Sequence, residues 1–305
     1  MDRGTRRGDA GVRREEELFI FGLGYSAGHY AASRAGDWRA ISASVRSRAK
    51  RDALRAQGLR AFALEDEADA QPLLDALARC AAVLVSAPPG EAGDPILARF
   101  RDALLQSPAL TRIVYLSTIG VYGDHDGAWI DESATPRPSN ARSRWRLAAE
   151  AEWLALAETR GALAHVLRLA GIYGPGQNAL ANLKAGTAKR IVKPGQVFNR
   201  IHVEDIARAI DAAFAYEGAS AAWNVSDDEP AAPQDVVAFA ADLLGVAPPP
   251  DIDFATADLS PMARSFYSEC KRVSNRALKE RLGVRLAFPT YREALRALLA
   301  QGEGR

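Results

Sequence analysis

Cysteine is scarce: Cys80 and Cys270 are the only two in 305 residues, which excludes a disulfide framework and a ladder of Cys/His metal ligands. Each is expected as a small buried apolar side chain, in a protein of the reducing cytoplasm. Surplus charge is missing as well. Lys and Arg number 39 against 38 Asp and Glu, a net charge of +1, so no field is strong enough to argue for nucleic acid or an anionic membrane as partner. Long apolar runs are absent too. The longest stretch without a charged residue, 169–183, carries Gly, Pro, Gln and two Asn, and it cannot span a bilayer. The first residues, MDRGTRRGDAGVRREEE, hold no apolar segment of the kind a secretory signal needs. Residues 1–16 therefore read as a disordered tail, and the sequon Asn224-Val225-Ser226 reads as a chance match.

What is present is ordinary globular composition, 48% hydrophobic and 25% charged, enough for one large domain or two modest ones with a full core. From Glu17 onward short apolar runs at 18–21, 40–45, 60–64, 82–86, 113–117 and 164–169 alternate with helical patterns. That rhythm predicts an α/β fold with a doubly wound, Rossmann-type parallel sheet over 17–175. Asp94-Pro95 starts one helix with a capping residue and a proline in the first turn, and 141–159 reads as a long helix. After Gly174 the rhythm changes. Helices are expected at 203–216, at 233–244 closed by Gly245, and after the capping box Thr290-Tyr291-Arg292-Glu293. Residues 176–305 then form mainly a smaller helix-rich lobe over the carboxyl ends of the strands, with some segments returning to the sheet.

The apolar run 18–21 leads directly into Gly22-Leu23-Gly24-Tyr25-Ser26-Ala27-Gly28. Gly22 permits the tight turn, Gly24 lets a pyrophosphate approach the backbone, and Ala27 lets the helix pack closely on the strand. A structural turn would use the same glycines, but the strand before and the helix after are the context of a dinucleotide site, with Tyr25 and Ser26 at the helix start. An NAD site usually carries an acid about 20 residues further on to hold the ribose hydroxyls. Here no acid lies between Trp38 and Arg51; Arg46, Ser47 and Arg48 stand there instead. A guanidinium at that place can clamp a 2′-phosphate, so NADP is expected in preference to NAD, the alternative being solvated arginines after a strand.

With YLSTIGVYG at 115–123, LRLAGIYGPG at 167–176 and RIHVEDI at 200–206, the chain resembles the extended short-chain dehydrogenase/reductases, the NAD-dependent epimerase/dehydratase branch. The resemblance runs in order from about Leu18 to Leu299. It implies that Ala87, Pro88 and Pro89 border the cofactor together with Ser117, that Gly171, Ile172 and Tyr173 lie near the nicotinamide, and that the C-terminal lobe binds a small-molecule substrate, often a nucleotide sugar. Members often dimerise through a helix pair that includes the YxxxK helix, so a homodimer is compatible with the resemblance.

The family's chemistry uses a Ser/Thr, matched by Thr118, and a YxxxK pair. Where that pair is expected, followed by Leu-Ala-Ala-Glu, the chain has Arg142 and Arg146. A guanidinium stays protonated, so Arg142 cannot shuttle a proton as a tyrosine does. Arg146 can still donate to ribose hydroxyls or pair with Glu150 one turn on, and the two arginines together could receive a phosphate or carboxylate. Tyr122, His125, Tyr173 and His202 are the remaining candidates for proton transfer, each with a structural alternative. Dehydration with an adjacent Asp-Glu pair is not expected after Thr118. Lys189, Arg190, Lys193 and Arg200 form a basic stretch that suits either an acidic substrate or a solvated loop. Two function classes stay open: an NAD(P)-dependent oxidoreductase or epimerase, and a cofactor-binding sensor that has lost catalysis.

Overall fold

The computed structural model describes residues 13–304. Its centre is a seven-stranded, all-parallel sheet built from β1 (Arg13–Phe21), β2 (Trp38–Val45), β3 (Arg60–Ala63), β4 (Ala82–Val85), β5 (Arg112–Thr118), β6 (Leu163–Leu169) and β7 (Ala221–Val225). The spatial order is 3-2-1-4-5-6-7, so the sequence reverses direction between β1 and β4, where open sheets of this kind bind ligands. The central strands are buried on both faces, and their side chains alternate between two cores. Leu18 and Ile20 join Leu84, Val114 and Leu116 on one face. Phe19 and Phe21 join Val83, Ile113 and Tyr115 on the other.

Helices α1 (Tyr25–Ser33), α2 (Arg48–Ala56), α3 (Ala70–Arg79), α4 (Pro95–Gln106) and α5 (Ala141–Arg160) connect the first six strands. Their ends follow local chemistry. Asp94 caps α4 through Ile96 and Leu97 N–H, at 2.8 and 3.1 Å, and its second oxygen accepts from the fully buried Trp153 Nε1 at 2.9 Å. Asn140 caps α5, which stops at Gly161 with φ +73, a conformation that favours glycine. Trp153 lies in the core, whereas Trp145 on the same helix is only half-buried.

Three expectations need correction. The tail expected over 1–16 lies partly outside the described residues, and Arg13–Glu16 extend β1, with Arg13 opposite Trp38 and a register shift before Glu17. A polar strand end is stable there because backbone pairing with β2 does not depend on apolar side chains. The seventh strand, β7, lies outside the six apolar runs, because AAWNV is short, begins with two alanines and is interrupted by Asn224. Of the cysteines, Cys80 is buried, with its thiol pushed up to about 12 by burial, but Cys270 is half-exposed in a loop.

The segments after Gly174 pack in two places. The helix Val203–Ala215 returns to the sheet, and its Asp205 accepts backbone N–H bonds from Ala287 and Phe288. The helices Ala179–Lys184, Pro233–Leu244 and Tyr291–Ala300 form a separate apolar cluster around Leu180, Ala240 and Leu295. The capping box at Thr290 is formed. Among the described residues no helix is long and apolar enough to cross a membrane.

Candidate cofactor and substrate site

At the end of β1, Gly22 has φ +85, and a Cβ there would lie 2.8 Å from the backbone nitrogen of Ala87. That nitrogen and the one before it both donate to Phe21 O, at 3.0 and 2.8 Å. The close approach joins the glycine turn to the Ala87-Pro88-Pro89 segment after β4. Gly24 is the N-cap of α1, which has no side-chain cap and no acid in its first turn, and a Cβ on Gly24 would meet nothing within 4 Å. The first backbone N–H groups of α1 are thus left for an outside acceptor. Ala27 is fully buried and Ser26 nearly so. Tyr25 donates to Pro175 O at 2.9 Å, tying the turn to the segment after Tyr173.

Of the three residues expected beyond β2, the fold uses two. Ser47 caps α2 by accepting from Lys50 N–H at 3.4 Å, and Arg48 pairs with Asp66 at 3.2 Å. The Arg46 side chain is exposed and makes no hydrogen bond or ion pair among the described residues. Lys50, which sequence reasoning passed over, donates from Nζ to Leu23 O at 2.6 Å. This places an ammonium on the glycine turn, and its one available signal was a position one helical turn beyond Arg46.

At the end of β5 the two neighbouring hydroxyls have different fates. Ser117 is buried and donates to Glu150, so it belongs to the interior rather than to a cofactor surface. Thr118 is half-buried, and its Oγ1 accepts from Gly120 N–H at 3.0 Å, which leaves its own O–H free to donate outward. Arg146 donates from Nη1 to Leu116 O at 2.8 Å and Tyr115 OH at 3.3 Å. The alternative pairing of Arg146 with Glu150 is not formed, because Glu150 is taken by Arg168 at 2.7 Å. Arg142 is exposed in the first turn of α5, without a partner among the described residues. A cation there opposes the helix dipole, so a local stability role does not account for it.

Glu150 and Arg168 head a buried network that the sequence reading did not find. Arg168 also donates to Tyr122 OH at 2.9 Å, which in turn donates to Asn224 Oδ1 at 2.8 Å. Tyr122 is fully buried, with burial raising its hydroxyl above the ordinary value, so it is sealed from any substrate and is removed as a proton donor. The available signal was Arg168, the one charged residue in the strand LAHVLRL; Glu150 is one of several charges in α5 and gave none.

The strand Gly171–Tyr173 pairs in parallel with Arg200–His202. Gly171 and Ile172 are exposed and Tyr173 is turned inward. His202 caps the following helix by accepting from Glu204 N–H at 3.2 Å, and His125 lies in a loop with its Nδ1 3.2 Å from Arg137. The basic stretch disperses: Arg190 pairs with Asp251 at 3.0 Å, Lys193 donates to Tyr267 O, Lys189 is exposed and Arg200 points inward. Among the described residues no group of three His, Cys, Asp or Glu could hold a metal ion.

Burial pushes the rings of His165 and His202 down to about 4 from 6.5. The unfolded chain takes up these protons near pH 6.5 while the folded chain refuses them. The stability the two neutral rings contribute is therefore full above pH 6.5 and lost as pH falls toward 4. Their ring-proton NMR signals are expected to stay at neutral positions down to pH 5; a midpoint near 6.5 for either would contradict this.

Residues 96–226 match the NAD dependent epimerase/dehydratase family. A solved structure of a functionally unknown conserved protein from Silicibacter pomeroyi is 45% identical, covers 94% of this chain and 99% of its own, and superposes with a TM-score of 0.84. MoeE5 in complex with UDP-glucose and NAD is 23% identical, with 94% and 98% coverage and a TM-score of 0.75. UDP-N-acetylglucosamine 4-epimerase from Bacillus cereus is 17% identical, with 94% and 99% coverage and a TM-score of 0.74. The last two likenesses speak for the fold alone. Among curated proteins none matches this chain. With its motifs in order on a parallel sheet and a 45% identical relative matched over 94% of this chain, the chain belongs to the NAD dependent epimerase/dehydratase family.

Proposed function

We propose that the protein is an NADP-using oxidoreductase or epimerase acting on a small polar, anionic substrate, a class that includes nucleotide sugars. The observation that carries the cofactor assignment is the pair of cations at the glycine turn: Arg46 with free donors after β2, and Lys50 held on Leu23 O. Gly24, where an added Cβ would meet no protein atom within 4 Å and where α1 starts without a side-chain cap, supports the fit of a pyrophosphate in this cradle. Gly22, Gly24 and the first N–H groups of α1 would hold the pyrophosphate, and Arg46 and Lys50 the 2′-phosphate.

When bound, the nicotinamide supplies or accepts a hydride. Thr118 donates its hydroxyl hydrogen to the reacting oxygen. Arg142 offers a fixed positive charge for an anionic group or a developing oxyanion. Arg146, braced on Leu116 O, turns its remaining N–H groups to ribose hydroxyls. With Tyr122 sealed inside and guanidinium groups unable to exchange a proton near neutrality, the proton passes through water.

Arg46→Ala and Lys50→Ala are each expected to weaken NADPH binding about tenfold or more, with NADH binding little changed, as read by nucleotide fluorescence. Equal NADPH affinity in wild type and both variants would overturn the NADP assignment. A second reading, a cofactor-binding sensor without catalysis, draws support from Arg142 at the tyrosine position. Tight NADPH binding with no turnover across carbonyl compounds and nucleotide sugars, together with cofactor-dependent association with another protein, would favour it.

A further inference from the structure

The lobe beyond Tyr173 contains a cavity of about 480 Å³, within the size range of small-molecule sites. Arg200 lines it, and burial holds that guanidinium below the ordinary arginine value, although an arginine remains charged at neutral pH. Its Nη1 donates to Phe198 O and Ala231 O, at 2.9 and 3.0 Å, and among the described residues it forms no ion pair. The acid closest to offsetting it is Asp227. That carboxyl has an oxygen without a partner, and burial pushes it up to about 8, so it offsets the cation only in part. Glu229, the next acid, is occupied by Arg292 at 3.0 Å.

Two buried phenols complete the wall. Tyr173 and Tyr291 are 8% and 1% exposed, both hydroxyls lack a hydrogen-bond partner, and the Tyr291 ring lies 6.0 Å from the Arg200 guanidinium. Burial raises both phenols, and their oxygens are shut off from the cavity, so the two rings serve as wall. Lys189 adds a second cation from an exposed position, Val236 and Val237 supply apolar surface, and no carboxylate lines the cavity. A half-buried cation over a cavity without a carboxylate is costly unless an anion joins it.

From this arrangement we infer that the cavity binds a small organic anion, a carboxylate or phosphate monoester, with its charged group on Arg200 and Lys189 and its apolar body against Val236 and Val237. It rests on the proposed function in one respect: the cavity begins at Ile172-Tyr173, so the anion bound there is the substrate's.

The test is isothermal titration of the purified full chain with phenyl phosphate, 3-phenylpropionate and the neutral 3-phenylpropanamide, with NADPH titrated separately. At least one anion binds and the amide does not, and the anion that binds identifies the charged group. Arg200→Met loses about tenfold or more in anion affinity, Lys189→Met loses less, and NADPH affinity is unchanged in both. If no anion binds wild type, if the amide binds as well as the anions, or if a folded Arg200→Met keeps wild-type affinity, the inference is overturned. Should Arg200→Met fail to fold, unchanged anion affinity in Lys189→Met overturns it equally. Anion binding without NADPH binding would sink the cofactor reading and leave this pocket standing.

Discussion

Gly22→Ala is expected to lower cofactor affinity about 100-fold or more, through roughly 3 kcal/mol of backbone displacement and strain. Two causes act together. At φ +85 an alanine sits where its Cβ crowds its own carbonyl, and the same Cβ would lie 2.8 Å from Ala87 N, a backbone atom that cannot swing aside. Ala87 N is itself bonded to Phe21 O at 3.0 Å, so relief must come from moving the turn that would cradle the pyrophosphate. Gly24→Ala is the informative contrast. With φ −86 at this cap and no protein atom within 4 Å of an added Cβ, it should leave the thermal midpoint unchanged and weaken binding only by intruding on the ligand. Nucleotide fluorescence together with thermal unfolding separates the two effects. Wild-type NADPH affinity in Gly22→Ala would refute the assignment of this turn.

How far the sequence could be read depended on how local each cause was. The paired glycines, the Asp94-Pro95 start, Gly245 and the Thr290 capping box are settled within a few residues, and the structure contains each of them. The alternation of β1 is equally local, and it sends Leu18 and Ile20 to one core and Phe19 and Phe21 to the other. Functions decided by partners distant in sequence could not be read in this way. Ser117 looked like a cofactor contact until Glu150, 33 residues away, took its hydroxyl. Arg48 was drawn to Asp66, whereas Lys50 reached back 27 residues to Leu23 O. Arg200 read as one more charge in a basic loop, because its isolation depends on where β-structure and the last helix bring Tyr173 and Tyr291. In each case the residue type was legible and its partner was not.

Glu150→Ala is expected to cost about 3–5 kcal/mol of folding stability, the range for removing one member of a buried ion pair. Glu150 is 3% exposed and Arg168 7%, and the two are joined at 2.7 Å with further contacts from Arg168 Nε. Burial alone would lower the Arg168 guanidinium, and the hydrogen bonds and charge of Glu150 raise it again, so removing the carboxylate strands a cation in the interior. The loss spreads because Arg168 also fixes Tyr122, which fixes Asn224, and because Ser117, next to Thr118, loses its acceptor. Urea unfolding should show the loss in the midpoint, and NADPH affinity should fall as the end of β5 loosens. Glu150→Gln keeps the shape and some of the hydrogen bonds, so it should cost less. The double variant Glu150→Leu with Arg168→Met removes both charges and should recover a large part of the stability, since an apolar replacement of a buried pair is often close to neutral. Its recovery would remain incomplete while Ser117 keeps an idle hydroxyl in the core and Tyr122, still donating to Asn224, lacks a donor to its oxygen. If Glu150→Ala and Arg168→Met instead show small losses that simply add in the double-mutant cycle, the pair is not coupled and the network does not brace the end of β5.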